Sequence, residues 1–320
     1  MAHSDLKRLA EQLKGNIERV IVGKGDVIDY MLTALLASGH ILLEDVPGTG
    51  KTLLAKTLSR SLDCTFQRIQ FTPDLLPSDV SGINYYNQKS GDFEFRPGPL
   101  FANIILTDEI NRATPRTQSS LLECMEERQV SIDGHTHKLE QPFLVMATQN
   151  PIDNQGTFPL PEAQLDRFMM KITMGYPKTE DGVQILKRFR ERNPLDEIAP
   201  VAGKADIIEA QKAVTAVRIS EELIRYIVSL AEATRQHPEI SLGVSPRATQ
   251  AWLRASQAWA LIHGREYVLP DDIKALAIPV LAHRILLKNR LRTAEGQAEA
   301  LLTRILASVK VPSEEGIGTV

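Results

Sequence analysis

Cysteine is nearly absent: Cys64 and Cys124 are the only two in 320 residues, and no CxxC spacing links them. The pattern gives no disulfide framework and leaves two reduced thiols that pack as small apolar groups. Long apolar runs are missing too. Nothing approaches the roughly 18 consecutive apolar residues of a membrane helix, so no membrane span is expected. Neither sign of charge dominates, with 37 Lys and Arg against 40 Asp and Glu and a formal net charge of −3. That balance creates no field to draw in nucleic acid or an anionic membrane. Residues 1–15 are charged and amphipathic, unlike a secretion signal. Internal repeats and low-complexity tracts are also lacking. The expectation is a soluble, cytoplasmic globular protein.

What is present suits such a protein, with 43% hydrophobic and 24% charged residues. At about 100–200 residues per domain, the length predicts two domains. Leu6, Leu9, Leu13, Ile17 and Val20 recur at helical spacing and predict an opening amphipathic helix; residues 27–37 predict a second. The short run Ile41, Leu42, Leu43 precedes a glycine-rich turn and suits a buried parallel strand. Further short apolar runs fall at 101–106, 143–147 and 168–174, with helical segments at 51–62 and 117–127. Strand alternating with helix predicts a parallel sheet with helices on both faces. Two hairpins interrupt it: 83–86 with 93–96 across a polar turn, and 130–135 around Asp133-Gly134. Past residue 175 strands give way to helices. Ser220, Ser245 ahead of Pro246, and Pro270 mark helix starts; Gly264 ends the second and Pro279 should kink the third. The predicted organisation is an α/β domain over 1–175, an all-α domain over 176–311 and a disordered tail over 312–320.

Pro47-Gly48-Thr49-Gly50-Lys51-Thr52-Leu53 follows the first strand and opens a helix, the setting of a phosphate-binding loop. Gly48 and Gly50 let the backbone curl so that its N–H groups face phosphate at the helix N-terminus. Lys51 would reach the β- and γ-phosphates of a nucleotide, and the Thr52 hydroxyl would ligate Mg²⁺. The strict pattern has glycine at the loop's leading position, where this chain has Asp45. An acidic side chain there must point away from phosphate. Downstream, Ile104-Ile105-Leu106-Thr107-Asp108-Glu109 ends an apolar strand in two carboxylates, at the sheet edge where ligands sit. Asp108 is placed to hold Mg²⁺ through its water shell, and Glu109 to polarise a water for attack on the γ-phosphate. No Asn-Lys-x-Asp base-reading sequence occurs, which argues against a GTPase.

With these residues in place the chain resembles the AAA+ ATPases, most closely the MoxR family, from Val22-Gly23 to at least Arg247. The most specific segments are Phe95-Arg96-Pro97-Gly98-Pro99 and Thr107-Asp108-Glu109-Ile110-Asn111-Arg112-Ala113. Ala147-Thr148-Gln149-Asn150-Pro151 and Leu160-Pro161-Glu162-Ala163-Gln164-Leu165-Asp166-Arg167-Phe168 complete them. The resemblance implies an α/β P-loop AAA+ core with a parallel sheet, the two hairpins as insertions, and a smaller all-α lid. It implies that Asn150 is the sensor 1 residue orienting the attacking water, a task suited to an amide that both donates and accepts. Arg167 would be an arginine finger offered to a neighbouring subunit's γ-phosphate. Arg247 would be sensor 2 on the lid; in its helix's first turn its charge opposes the dipole, as a functional position can. Val22 and Gly23 fall where the family's adenine pocket begins. ATP and Mg²⁺ are the implied cofactors. A homo-oligomeric, hexameric ring is the implied assembly, with a von Willebrand factor A-domain protein and a protein client as partners in chaperone-like maturation of complexes.

Other features stay open at this point. Tyr85, Tyr86, Phe93 and Phe95 either meet a client chain at a central pore or pack the hairpin onto its own domain, the second being favoured for Phe95. His135 and His137 share one side of a strand but lack a third metal ligand. Arg112 either contacts nucleotide across a subunit boundary or caps local structure. Replicative helicases share both hairpins, so a nucleic-acid motor is an alternative. The near-neutral charge and a hairpin tip with only Lys89 beside Asp92 count against it. A magnesium-chelatase-like subunit and a non-hydrolysing scaffold are further alternatives; the intact Glu109, Asn150 and Arg167 set disfavours the scaffold.

Overall fold

The computed structural model describes residues 3–150, 156–190, 192–288 and 296–312. Pro151 and all of the expected tail beyond Pro312 lie outside them. Helix α1 (His3–Glu18) buries Leu6, Leu9, Leu13 and Ile17, the stripe its spacing predicts, and α2 (Gly25–Leu36) is buried along most of its length. Then β1 (Ile41–Glu44), α3 (Lys51–Ser61), β2 (Phe66–Gln70) and α4 (Pro77–Ser81) precede the first hairpin, β3 (Gly82–Asn87) with β4 (Asp92–Pro97). Strand β5 (Ile104–Asp108) and α5 (Pro115–Glu127) lead to the second hairpin, β6 (Gln129–Ile132) with β7 (His135–Lys138). Asp133 and Gly134 both take positive φ at its turn, as the Asp-Gly pair requires. Strand β8 (Leu144–Gln149), α6 (Glu162–Leu165) and β9 (Met170–Ile172) complete this part.

The main sheet has the order β2-β5-β8-β1-β9, all parallel. Period-two alternation splits its apolar side chains between two cores. Ile41, Leu43, Ile104 and Leu106 face the helices of the first, whereas Leu42, Ile105, Val145 and Ala147 face α5 in the second. Helices on both faces explain why the central strands are apolar throughout. Two details differ from the sequence reading. The run at 101–106 becomes strand only from Ile104, because Phe101 turns to pack edge-on against Phe95. Strand β2 was not anticipated, since its polar Gln67, Arg68 and Gln70 leave only Ile69 fully buried at a sheet edge.

The remainder comprises α7 (Thr179–Phe189), α8 (Pro194–Glu197), α9 (Lys204–Val214), α10 (Glu221–Gln236), β10 (Ile240–Leu242), α11 (Pro246–Ile262), α12 (Pro270–Leu281), β11 (Leu286–Leu287) and α13 (Gln297–Ser308). This part is helical as expected, with one short antiparallel pair, β10 with β11, added to its helices. Ser220 and Ser245 do cap their helices, accepting from the N–H groups of Leu223 and Ala248. Pro279 lies inside α12, which runs on to Leu281. Among the described residues no helix is long and apolar enough to cross a membrane. Cys64 and Cys124 are both free; burial pushes their thiols up to about 11 and about 12, so neither is a thiolate near neutral pH.

Candidate nucleotide-binding site

Strand β1 delivers the phosphate loop to the carboxyl edge of the sheet, beside the ends of β8 and β9. Gly48 and Gly50 take φ of +85° and +94°, a left-handed conformation that strains any residue with a side chain. Gly50 starts α3, its carbonyl accepting from the Leu54 N–H at 2.9 Å. Lys51 folds back over the loop, its Nζ donating to the carbonyls of Asp45 and Val46 at 2.9 Å each. Burial pulls its pKa down, opposed by the nearby carboxylates of Asp45, Asp108 and Glu109. Pro47 is exposed, Thr49 and Thr52 are half-buried, and Leu53 packs against the first core.

Asp45 does point away from the phosphate position. Its Oδ2 accepts the backbone N–H groups of Met174 at 2.8 Å and Gly175 at 2.7 Å, and its Oδ1 accepts from Val46 at 2.9 Å. The same turn is gripped from its carbonyl side by Lys24, whose Nζ donates to Met174, Gly175 and Tyr176 at 2.5, 3.1 and 3.1 Å. Lys24 follows Val22, which is buried, and Gly23, which has φ of +70°. That positive φ strains any residue with a side chain, and a Cβ on Gly23 would also displace the Asp181 carboxylate, 2.2 Å away. The residues expected to begin an adenine pocket therefore adjoin a turn tied to the phosphate loop.

The two strand-end carboxylates occupy a built network. Asp108 is buried, with Oδ1 accepting from the Thr148 hydroxyl at 3.2 Å and Oδ2 paired with Arg68 Nε at 2.6 Å. Glu109 takes a left-handed φ of +57°, and its N–H donates to Thr148 Oγ1 at 2.9 Å. Its Oε2 accepts from Gln70 Nε2 at 2.9 Å and faces Arg112 Nε at 3.1 Å. Arg112 therefore has a local partner in the Glu109 carboxylate. Asn150 follows β8 directly, on the strand next to β5, half-buried. A hydroxyl on Thr52 and a carboxylate on Asp108 are hard oxygen ligands, the kind Mg²⁺ takes alongside phosphate oxygens. Among the described residues no His, Cys, Asp and Glu cluster could cage a metal by itself. His137 instead stacks on Phe95 at 4.1 Å, and His135 is exposed. Sequence reasoning missed Arg68 and Gln70; the available signal was two long polar side chains at i and i+2 on one face of a strand.

Arg167 and Arg247 lie elsewhere. Arg167 precedes β9, which pairs in parallel with β1, so it stands at the amino edge of the sheet while Lys51 follows the carboxyl edge. A cavity of about 440 Å³ at that edge is lined by Glu126, Arg128, Asp166, Arg167, Arg247 and Arg284. Glu126 divides its carboxylate between the two predicted arginines, Oε2 facing Arg167 Nε at 3.2 Å and Oε1 accepting from Arg247. On the first hairpin Tyr86 and Phe93 are 54% and 74% exposed and pack edge to face. Tyr85 is also exposed and donates to Glu94 at 3.0 Å, whereas Phe95 packs inward against His137 and Phe101.

Known proteins match this arrangement. Residues 40–170 match the ATPase family associated with various cellular activities (AAA), and residues 232–305 match the AAA lid domain. YeaC of Bacillus subtilis is 51% identical over 308 residues, covering 96% of each chain. Chaperone MoxR1 of Mycobacterium tuberculosis is 40% identical over 310 residues, 94% of this chain and 82% of that one. Protein MoxR of Paracoccus denitrificans is 33% identical over 322 residues, 92% and 94% of the respective chains. A crystal structure of a candidate ATPase from Cytophaga hutchinsonii superposes with a TM-score of 0.88 at 41% identity, covering 97% of each chain. With an AAA family match over 40–170, a lid match over 232–305 and MoxR relatives matched along most of their length, the chain belongs to the MoxR family of AAA+ ATPases.

Proposed function

We propose that this protein hydrolyses ATP with Mg²⁺ as a ring of identical subunits, six in number, and that each site is completed by its neighbour. The observation that carries the reading is the placement of Arg167 and Lys51 at opposite edges of one parallel sheet. Four residues of β1 span about 13 Å at roughly 3.3 Å each, more than an arginine side chain can cross. Arg167 therefore serves a phosphate held by another subunit. Arg247 shares Glu126 with Arg167 and lines the same cavity, so the two act together on that phosphate. An exposed apolar stripe of Val183, Leu186 and Phe189 on α7 supports protein contacts of this chain.

Within one subunit the phosphate loop and Lys51 hold the β- and γ-phosphates, and Thr52 with Asp108 would hold the metal. Bound magnesium supplies positive charge across the phosphate oxygens as the terminal bond breaks. Glu109 takes the proton of the attacking water, and Asn150 orients that water. Val22 and Gly23 border the adenine, Pro47 and Thr49 shape the loop, and Leu53 anchors it in the core. Gly175, at φ +64°, separates the core over 1–175 from the lid over 176–311.

The chaperone named among its relatives supports a chaperone-like role; we extend that role to the maturation of protein complexes in the cytoplasm, with a von Willebrand factor A-domain partner and a protein client. Exposed Tyr85, Tyr86 and Phe93 suit contacts with an extended chain. Arg167→Ala tests the shared site: the variant should bind ATP without hydrolysing it, and wild-type subunits should not rescue the site that the variant faces. Normal phosphate release by Arg167→Ala removes the reading.

A further inference from the structure

The turn that carries Arg167 is held by the lid. Arg284, in the short helix Ala282–Arg284 after α12, has a side chain only 3% exposed. Its Nη2 donates to the carbonyls of Asp166 at 3.0 Å and Phe168 at 2.8 Å, the two residues flanking Arg167. Its Nε faces Asp166 Oδ1 at 3.2 Å. Two more lid residues grip the same turn. Ser245 donates to the Asp166 carboxylate at 3.3 and 3.1 Å, and His283 Nε2 meets the Phe168 carbonyl at 3.0 Å.

A buried guanidinium is costly, and a well-packed apolar side chain of similar volume commonly replaces one without loss of stability. Arg284 also keeps Nε and Nη1 buried with no hydrogen-bond partner among the described residues, so Nε meets Asp166 as an ion pair only. What its planar fork achieves is geometric. One nitrogen spans two carbonyls while the next faces a carboxylate, which fixes the backbone on both sides of Arg167. A lysine ammonium keeps the charge but cannot reproduce that fork.

We propose that Arg284 is the positioning residue of Arg167, so that the lid of one subunit sets the hydrolysis of ATP bound by the next. The proposal rests on the reading of Arg167 as a finger acting between subunits. It gives lid movement a direct route to the neighbouring site, because the lid residues Ser245, His283 and Arg284 all grip residues 166–168.

Mixed assemblies test this directionally. Lys51→Ala subunits keep the finger without a working site of their own, and Arg167→Ala subunits keep the site without a finger. Mixed together, they should restore phosphate release at Arg167→Ala sites that face a Lys51→Ala neighbour. Arg284→Lys placed in the Lys51→Ala chain should then cut the restored rate by about 10²-fold, the scale of an ångström-level misplacement. Placed in the Arg167→Ala chain, it should change the rate by no more than about twofold. Equal loss from either placement, or loss from neither, overturns the proposal. No restored turnover from the simple mixture, with co-assembly confirmed by sedimentation, removes the intersubunit reading and this proposal with it. If Arg284→Lys fails to fold, Asp166→Asn weakens the same grip from the core side and must show the same one-sided effect.

Discussion

The carboxylate of Asp45 holds Gly175 by its backbone N–H at 2.7 Å, tying the leading residue of the phosphate loop to the turn where the sheet gives way to helices. A glycine at position 45 would complete the usual loop pattern but could not make that tie. Asp45→Gly should therefore retain ATP binding while losing three hydrogen bonds to a charged acceptor, two of them from the turn, a loss of roughly 2–4 kcal/mol after partial compensation by water. Urea denaturation with a parallel ATP titration checks both halves. Unchanged stability would show that the tie carries no weight.

Glu109→Gln should bind ATP as the wild type does and turn over about 10²–10⁴-fold more slowly, the contribution expected of a general base. The amide can still accept from Gln70, so the local network should survive. Full turnover in a phosphate-release assay would take Glu109 out of that role.

Much of this site was legible because its parts are contiguous. The phosphate loop, the carboxylates ending β5 and Asn150 after β8 each sit in a short stretch whose neighbours announce a strand end or a helix start. Asp45 was visible as a departure, but its partners Met174 and Gly175 lie across the sheet and were not. Arg68 and Gln70 were hidden because an edge strand with one fully buried residue has too little apolar pattern to be seen. Arg284 meets Asp166 across 118 residues, and no local spacing reports such a contact. The small β10 and β11 pair escaped for the same reason, as two short segments are strands only through each other.

Glu126→Gln should leave stability within about 1 kcal/mol, because Arg247 is 47% exposed and solvent screens the pair. It should lower the ATP concentration needed for half-maximal turnover, since Arg167 and Arg247 no longer face a competing carboxylate. A rate titration measures this. An unchanged midpoint would mean that Glu126 does not compete with the neighbour's phosphate.

Acid should destabilise the fold through His40. Its Nε2 meets the Met125 carbonyl at 2.9 Å and its Nδ1 accepts from the Val145 N–H at 3.0 Å. Burial, first among the causes, pushes its pKa from the ordinary 6.5 to about 4. Between those values the unfolded chain holds a proton that the native state does not, so stability falls as pH drops through the window. The loss approaches roughly 3 kcal/mol at its lower end. Burial holds His283 low as well and adds in the same direction. Urea denaturation at pH 7 and 4.5 should show a smaller loss for His40→Asn than for the wild type; equal losses would exclude His40 as the source.

The shared site is tested most directly by phosphate release from magnesium-ATP per subunit as the wild-type chain is diluted, with assembly followed by sedimentation. Turnover per subunit should collapse as the assembly disperses while ATP binding persists, because Lys51 stays and the neighbour's Arg167 is lost. Turnover that stays constant down to the dispersed monomer would contradict the account.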